Sequence, residues 1–273
     1  MRIFVDSAEL KEIRQAYEWG IADGVTTNPS LMKKAVQSRL NAGEEIDIPT
    51  YIRQILKTAE GTPVSLEVTE VSADGMIRQG KRLYEIFNPV ADNVTIKIPV
   101  NPAFREEDST HFDGFRAIRE LASAGIPVNC TLIFTPEQAM LAAKAGAKFV
   151  SPFAGRIDDF IRSRNGIPFD KSDYYPMDGV EKDGEVLSDE GIVSGIDMVA
   201  QSVQILRYFG LEADVLAASL RNPRQVREAA LAGADVATLP FDVIKDLLKH
   251  FKTYEGMEKF TADVVPEYAD IMK

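Results

Sequence analysis

The chain has 273 residues, 45% hydrophobic and 27% charged, with a formal net charge of −11. That balance supplies apolar material for one large core and argues against nucleic acid or an anionic membrane surface as a partner. A single cysteine, Cys130, excludes an intrachain disulfide, and no apolar run reaches membrane-span length, so a cytoplasmic protein is expected.

The N-terminal Met-Arg-Ile-Phe-Val-Asp-Ser lacks a signal peptide's apolar stretch and reads as a first strand, Arg2–Asp6, with a helix over Ala8–Trp19 behind it. A strand at Gly24–Thr27 follows, after which Ser30 can cap a short helix. Then come helix Thr50–Ala59, strand Pro63–Val68, helix Ala73–Phe87, strand Val94–Ile98 and helix Thr110–Ala124. Strand Val128–Ile133, helix Pro136–Ala145 and strand Phe149–Pro152 continue the alternation. Ala124-Gly125, Ala145-Gly146 and Ala232-Gly233 supply the glycine that stops a helix just before the next strand.

The stretch Arg162–Gly191 breaks the pattern. Its acidic residues do not make a calcium loop, because Tyr174 and Pro176 stand where oxygen ligands are needed. A solvated excursion is expected there, on the functional face as a lid or subunit contact. Helix Ile192–Phe209, strand Val215–Ser219, helix Pro223–Leu231, strand Val236–Leu239 and helix Phe241–His250 follow, with a final helix near Glu258–Met272.

Eight strands alternating with helices, about one unit per 30 residues, predict a (β/α)8 TIM barrel with an extra C-terminal helix. Residues 1–273 then form one domain, interrupted by the insertion at 162–191. A doubly wound open sheet is the runner-up, weakened because no Gly-rich nucleotide signature follows the first strand.

Active sites of such barrels lie where strands end. Those ends present Asp6, Thr26, Thr27, Asn28, Glu67, Lys97, Asn129, Thr131, Ser151, Ser219 and Arg221. In Val94-Thr-Ile-Lys-Ile98, alternation sets Thr95 and Lys97 against the apolar face, and Glu67 stands likewise in its strand. Plainer readings exist: Lys97 reaching solvent, Asp6 capping the first helix, and the arginines lying on the surface. A mouth with this many polar groups is nonetheless costly to bury without a use. A desolvated lysine can attack a carbonyl to form a Schiff base, with Glu67 and Asp6 moving protons. Asn28 and Asn129 are placed to hold hydroxyls of a polyol, with Thr27 and Ser151 as further substrate contacts. Arg156, after the sixth strand, and Ser219 with Arg221, after the seventh, suit an anion. Only His111 and His250 occur, and no His/Cys cluster has metal spacing, so no metal or other cofactor is expected.

Five segments in order, Asp23-Gly-Val-Thr-Thr-Asn-Pro-Ser30, Val94-Thr-Ile-Lys-Ile-Pro99, Asn129-Cys-Thr-Leu-Ile-Phe134, Ser151-Pro-Phe-Ala-Gly-Arg-Ile157 and Ala218-Ser-Leu-Arg-Asn222, resemble the transaldolase family, which includes fructose-6-phosphate aldolase. The resemblance runs from Phe4 to about Leu239 and leaves 162–191 without a counterpart. It implies that Lys97 forms the imine, that Glu67 and Thr131 relay protons through a water, and that Asp6 takes the C4 hydroxyl proton. It further implies that Asn28 and Asn129 hold a dihydroxyacetone unit, that Phe153 lines the pocket, and that Arg156, Ser219 and Arg221 receive a phosphate. The aldolase branch has glutamine at the place of Glu67 and tyrosine at that of Phe153; this chain has the transaldolase-type residue at both. Its start resembles the shorter subfamily containing the aldolases.

The expected activity is transfer of dihydroxyacetone from a ketose phosphate to an aldose phosphate by a homo-oligomer, a dimer or larger ring. Release of free dihydroxyacetone, transfer on a ketose with another terminal anion such as a sulfonate, and a non-enzymatic interaction module are the alternatives.

Overall fold

The computed structural model describes residues 1–43 and 45–271. Eight parallel strands close into a barrel: Arg2–Asp6, Gly24–Thr26, Val64–Glu67, Val94–Pro99, Val128–Ile133, Phe149–Pro152, Asp214–Ala217 and Val236–Leu239. They are called strands one to eight below. Each pairs with its neighbours in sequence, and strand eight closes onto strand one with Phe4 beside Thr238. Helices cover the outside, as a (β/α)8 barrel requires.

Strand parity divides the core in two. Val5, Val25, Val64, Leu66, Ile96, Ile98, Cys130 and Val150 face outward and pack against the helices in one large cluster. Burial there pushes the Cys130 thiol well above its usual range, as for a small core residue. Phe4, Phe149, Leu216 and Val236 face inward and plug one end of the barrel. Phe4 meets Phe149 edge-on at 5.8 Å. Gly24 makes room for that plug, because a Cβ on it would sit 2.6 Å from the Phe4 ring. Two residues further along three of these strands the inward positions turn polar: Asp6 follows Phe4, Ser151 follows Phe149, and Thr238 follows Val236, while Ala218 follows Leu216.

Several expected elements change on folding. The helix after strand two spans Pro29–Asn41, and Asn28 rather than Ser30 is its N-cap, accepting from the Leu31 N–H at 2.9 Å. The sequence reading placed no helix directly after strand six, yet one covers Ala154–Arg164, so Arg162 belongs to a helix and not to the insertion.

The insertion is not wholly solvated. Tyr175 is 1% exposed and packs with Ile157, Ile161, Ile192 and Met198 in a small core of its own. Arg162 fastens it by donating to the carbonyls of Asp173 and Tyr174 at 3.1 and 2.8 Å. A two-residue hairpin pairs Glu181–Lys182 with Glu185–Val186.

At the C-terminus, the helix expected over Glu258–Met272 is two, Phe251–Ala262 and Pro266–Ile271. Pro266 starts the second helix and biases the residue before it away from helical backbone. Met272 lies outside the described residues. This arm exposes Phe251, Tyr254, Met257, Phe260, Tyr268 and Ile271. Among the described residues no helix is long and apolar enough to cross a membrane.

Candidate active site

The polar layer above the aromatic plug forms the floor of a cavity of about 120 Å³. Asp6, Thr26, Asn28, Lys97, Asn129, Ser151 and Thr238 line its depth, with Phe153, Arg156 and Ser219 toward the mouth. Each strand contributes at most a residue or two, which is how a closed barrel focuses distant sequence onto one volume.

Lys97 is 5% exposed. Its Nζ lies 3.0 Å from Glu67 Oε2 on the adjacent strand, where the register pairs the two residues directly. The amine also donates to the Thr27 carbonyl at 3.3 Å. An amine held by two partners inside the barrel loses the torsional freedom of a surface lysine.

Asp6 is half-buried and lines the same cavity, and Thr26 Oγ1 donates to its Oδ1 at 2.7 Å. Burial raises its carboxyl pKa from the ordinary value, while the Thr26 hydroxyl and the Lys97 charge pull the other way. Such a carboxyl is poised to exchange a proton with a bound hydroxyl.

Asn129 is completely buried and oriented from both sides: Ser151 Oγ donates to its Oδ1 at 2.7 Å, and its Nδ2 donates to Ser65 Oγ at 3.1 Å. With one amide hydrogen bonded to Ser65, the other N–H is left for a ligand in the cavity. The Thr131 hydroxyl is buried with no protein hydrogen bond. Just beyond it, Leu132 has φ 58° where the register of strands five and six shifts. A non-glycine residue in the left-handed region beside a bulge is strain of the kind that gathers at functional sites.

The mouth carries the positive charge. Arg156 lies over the Phe153 ring at 5.1 Å and has no ion pair among the described residues. Ser219, with φ 61°, is a second strained non-glycine position. Gly155 brings the two together, because a Cβ there would be 2.2 Å from the Ser219 carbonyl oxygen. Arg221 is differently placed: both its terminal nitrogens bind Asp159 at 2.6 Å, and one also reaches the Lys171 carbonyl of the insertion at 3.2 Å.

Of the residues singled out from sequence, nine line the cavity: Asp6, Thr26, Asn28, Lys97, Asn129, Ser151, Phe153, Arg156 and Ser219. Glu67 adjoins it through Lys97. Thr131 shares the inward parity of Asn129, and Arg221 is turned into its ion pair. Thr27 does not line it: its hydroxyl donates to the Ser65 carbonyl at 2.7 Å, and Thr26, which shares the inward parity of Gly24, faces the cavity instead. Thr238, Ser65 and Asp159 were not singled out. Parity alone points to Thr238, two residues past an inward Val236, whereas nothing local marks Asp159. Among the described residues no three His, Cys, Asp or Glu side chains are grouped to hold a metal ion.

The family model for Transaldolase/Fructose-6-phosphate aldolase matches residues 3–270. A "Probable transaldolase" of Prosthecochloris aestuarii is 41% identical over 273 residues, covering 100% of this chain and 99% of that protein. Another, of Thermoplasma acidophilum, is 39% identical over 263 residues, with 96% and 95% covered, and one of Aquifex aeolicus is 38% identical over 269, with 98% and 99% covered. The chain therefore belongs to the transaldolase/fructose-6-phosphate aldolase family, and it is an enzyme of the transaldolase kind.

Proposed function

We propose that this enzyme transfers a dihydroxyacetone unit from a ketose phosphate, fructose 6-phosphate or sedoheptulose 7-phosphate, to an aldose phosphate through a Schiff base on Lys97. The observation that carries the reading is a buried lysine amine held 3.0 Å from Glu67 in a cavity that the Asp6 carboxyl also lines. Lys97 adds to C2 of the ketose, and loss of the C2 oxygen as water gives the imine. Glu67, with a water against the otherwise unpaired Thr131 hydroxyl, relays the protons of that dehydration. Asp6 takes the C4 hydroxyl proton, the C3–C4 bond breaks, and its electron pair moves into the imine as an enamine on Lys97. The aldose phosphate leaves. A second aldehyde then accepts the enamine carbon, Asp6 returns its proton to the new hydroxyl, and water releases the product.

Asn28, Asn129 and Ser151 hold the hydroxyls of the three-carbon unit, while Arg156 and Ser219 receive the phosphate, with Arg221 flanking them. Phe153 favours transfer over hydrolysis because it offers no hydroxyl to protonate the enamine. A second reading rests on Arg221 being occupied by Asp159: one uncompensated guanidinium also suits a singly charged terminal group such as a sulfonate. We also place the enzyme in the cytoplasm and as a homo-oligomer, in which a second copy covers the exposed C-terminal arm.

Borohydride reduction during turnover tests the chemistry. A 1,3-dihydroxyprop-2-yl group should appear on the peptide containing Lys97, and no modification at that residue would refute the imine. Assays with phosphate and sulfonate ketoses, with and without an acceptor aldehyde, separate the rest. Rapid release of free dihydroxyacetone without acceptor would instead mark an aldolase.

A further inference from the structure

Thr26 on strand two has two close partners. Its Oγ1 donates to Asp6 Oδ1 at 2.7 Å and lies 2.5 Å from Thr238 Oγ1 on strand eight. A hydroxyl owns a single hydrogen. With the hydrogen of Thr26 committed to the carboxylate, the one in the second bond must come from Thr238. Both hydroxyls are buried and line the cavity, so bulk water does not compete for either bond.

We propose that Thr238 is a positioning residue for Asp6, the last donor in a one-way chain, Thr238 to Thr26 to Asp6, that holds this carboxyl as a fixed, unprotonated acceptor. The inference rests on the reading of Asp6 as the group that takes the substrate proton. A bond to a carboxylate is charge-assisted and roughly twice as strong as its neutral counterpart. A donor behind the donor polarises it further. The chain therefore favours the charged carboxyl and offsets part of the burial that opposes it. Strands two and eight thus present to Asp6 only neutral groups. The charges that face it across the cavity are Lys97 and, at the mouth, Arg156, while Glu67 lies beside the lysine amine.

The test uses the full chain carrying Thr238→Val, which keeps the side-chain shape, with Thr238→Ala as a second variant and Thr238→Ser to restore the donor. Asp6 is followed by the carbon resonance of its labelled carboxyl, assigned with Asp6→Asn, alongside the pH profile of kcat/KM. Thr238→Val should raise the Asp6 titration and the acid limb of the profile together by roughly 0.3 to 0.6 pH units. Thr26→Val should raise them by about one to two units. Thr238→Ser should return both to the parent position, which a purely steric role would not require. An Asp6 titration unmoved in both Thr238→Val and Thr238→Ala, or one that serine fails to restore, overturns the chain. Full turnover by Asp6→Asn overturns the reading of Asp6 itself, and the resonance distinguishes the two failures.

Discussion

Asp158 offers a measurement that reaches the mouth of the cavity through stability. It is 1% exposed, on the helix that also carries Arg156 and Asp159. Its carboxylate accepts from the Gly195 N–H and from Gln225 Nε2, each at 2.7 Å, and so ties that helix to the helices Gly195–Tyr208 and Pro223–Leu231, which precede and follow strand seven. Burial pushes its pKa up from 3.8 to about 6, against the Gly195 bond, the charges of Arg162 and Arg221, and the Gln225 bond. The folded protein thus holds a proton that the unfolded chain releases at lower pH. Between those two values the native state binds more protons, so stability falls as pH rises, and the loss is complete above the folded value. A gap of roughly two units is worth about 3 kcal/mol. Denaturant unfolding of the parent and Asp158→Asn across pH 4 to 8 isolates this group, because other titrations cancel in the difference. Parent stability relative to the variant should drop by about 2 kcal/mol from pH 4 to pH 7. A difference that stays level over that range would refute the reasoning.

Four other outcomes follow from the geometry. Lys97→Met should abolish both turnover and borohydride trapping while leaving the melting curve cooperative; residual trapping would place the imine elsewhere. Arg156→Ala removes a guanidinium with no ion pair among the described residues, and loss of a charge-assisted contact should lower kcat/KM for a ketose phosphate by roughly 10- to 100-fold, mostly through KM. Phe153→Tyr brings a hydroxyl to the enamine, so dihydroxyacetone should be released with no acceptor present, and strict acceptor dependence in the variant would count against that role. Gly24→Ala drives a methyl into the Phe4 ring and should cost about 1–3 kcal/mol by denaturant unfolding; an unchanged midpoint would mean the plug yields freely.

Much of this layout is legible in the chain because strand parity is rigid. Lys97 and Glu67 break apolar runs at positions where the pleat must turn them inward, and the register then pairs them. Asp6 and Asn129 yield to the same reasoning. Thr27 misleads because two threonines adjoin at a strand end, and only the exact end of the pleat decides which one faces in. The helix from Ala154 escapes notice because Gly155 near its start reads as a loop residue, when its task is to let Ser219 approach. The hold of Asp159 on Arg221 spans 62 residues and leaves no periodic trace in either segment. The insertion hides its order for a related reason: its core comes from isolated residues such as Tyr175, Val180 and Leu187 set among charges, with neither helical nor strand spacing.

The bond between Thr26 and Thr238 joins residues 212 apart in sequence, across the seam where the last strand meets the first. Such a contact is among the slowest to form, since nearly the whole chain must be in place before its ends can meet. During synthesis Lys97 and Glu67 are made long before strand eight. The acid at the chain's beginning waits for a hydroxyl near its end. On the mechanism proposed above, a partly made barrel would hold the lysine without a finished partner for carbon–carbon cleavage, and chemical competence would arrive with closure, as the final act of folding.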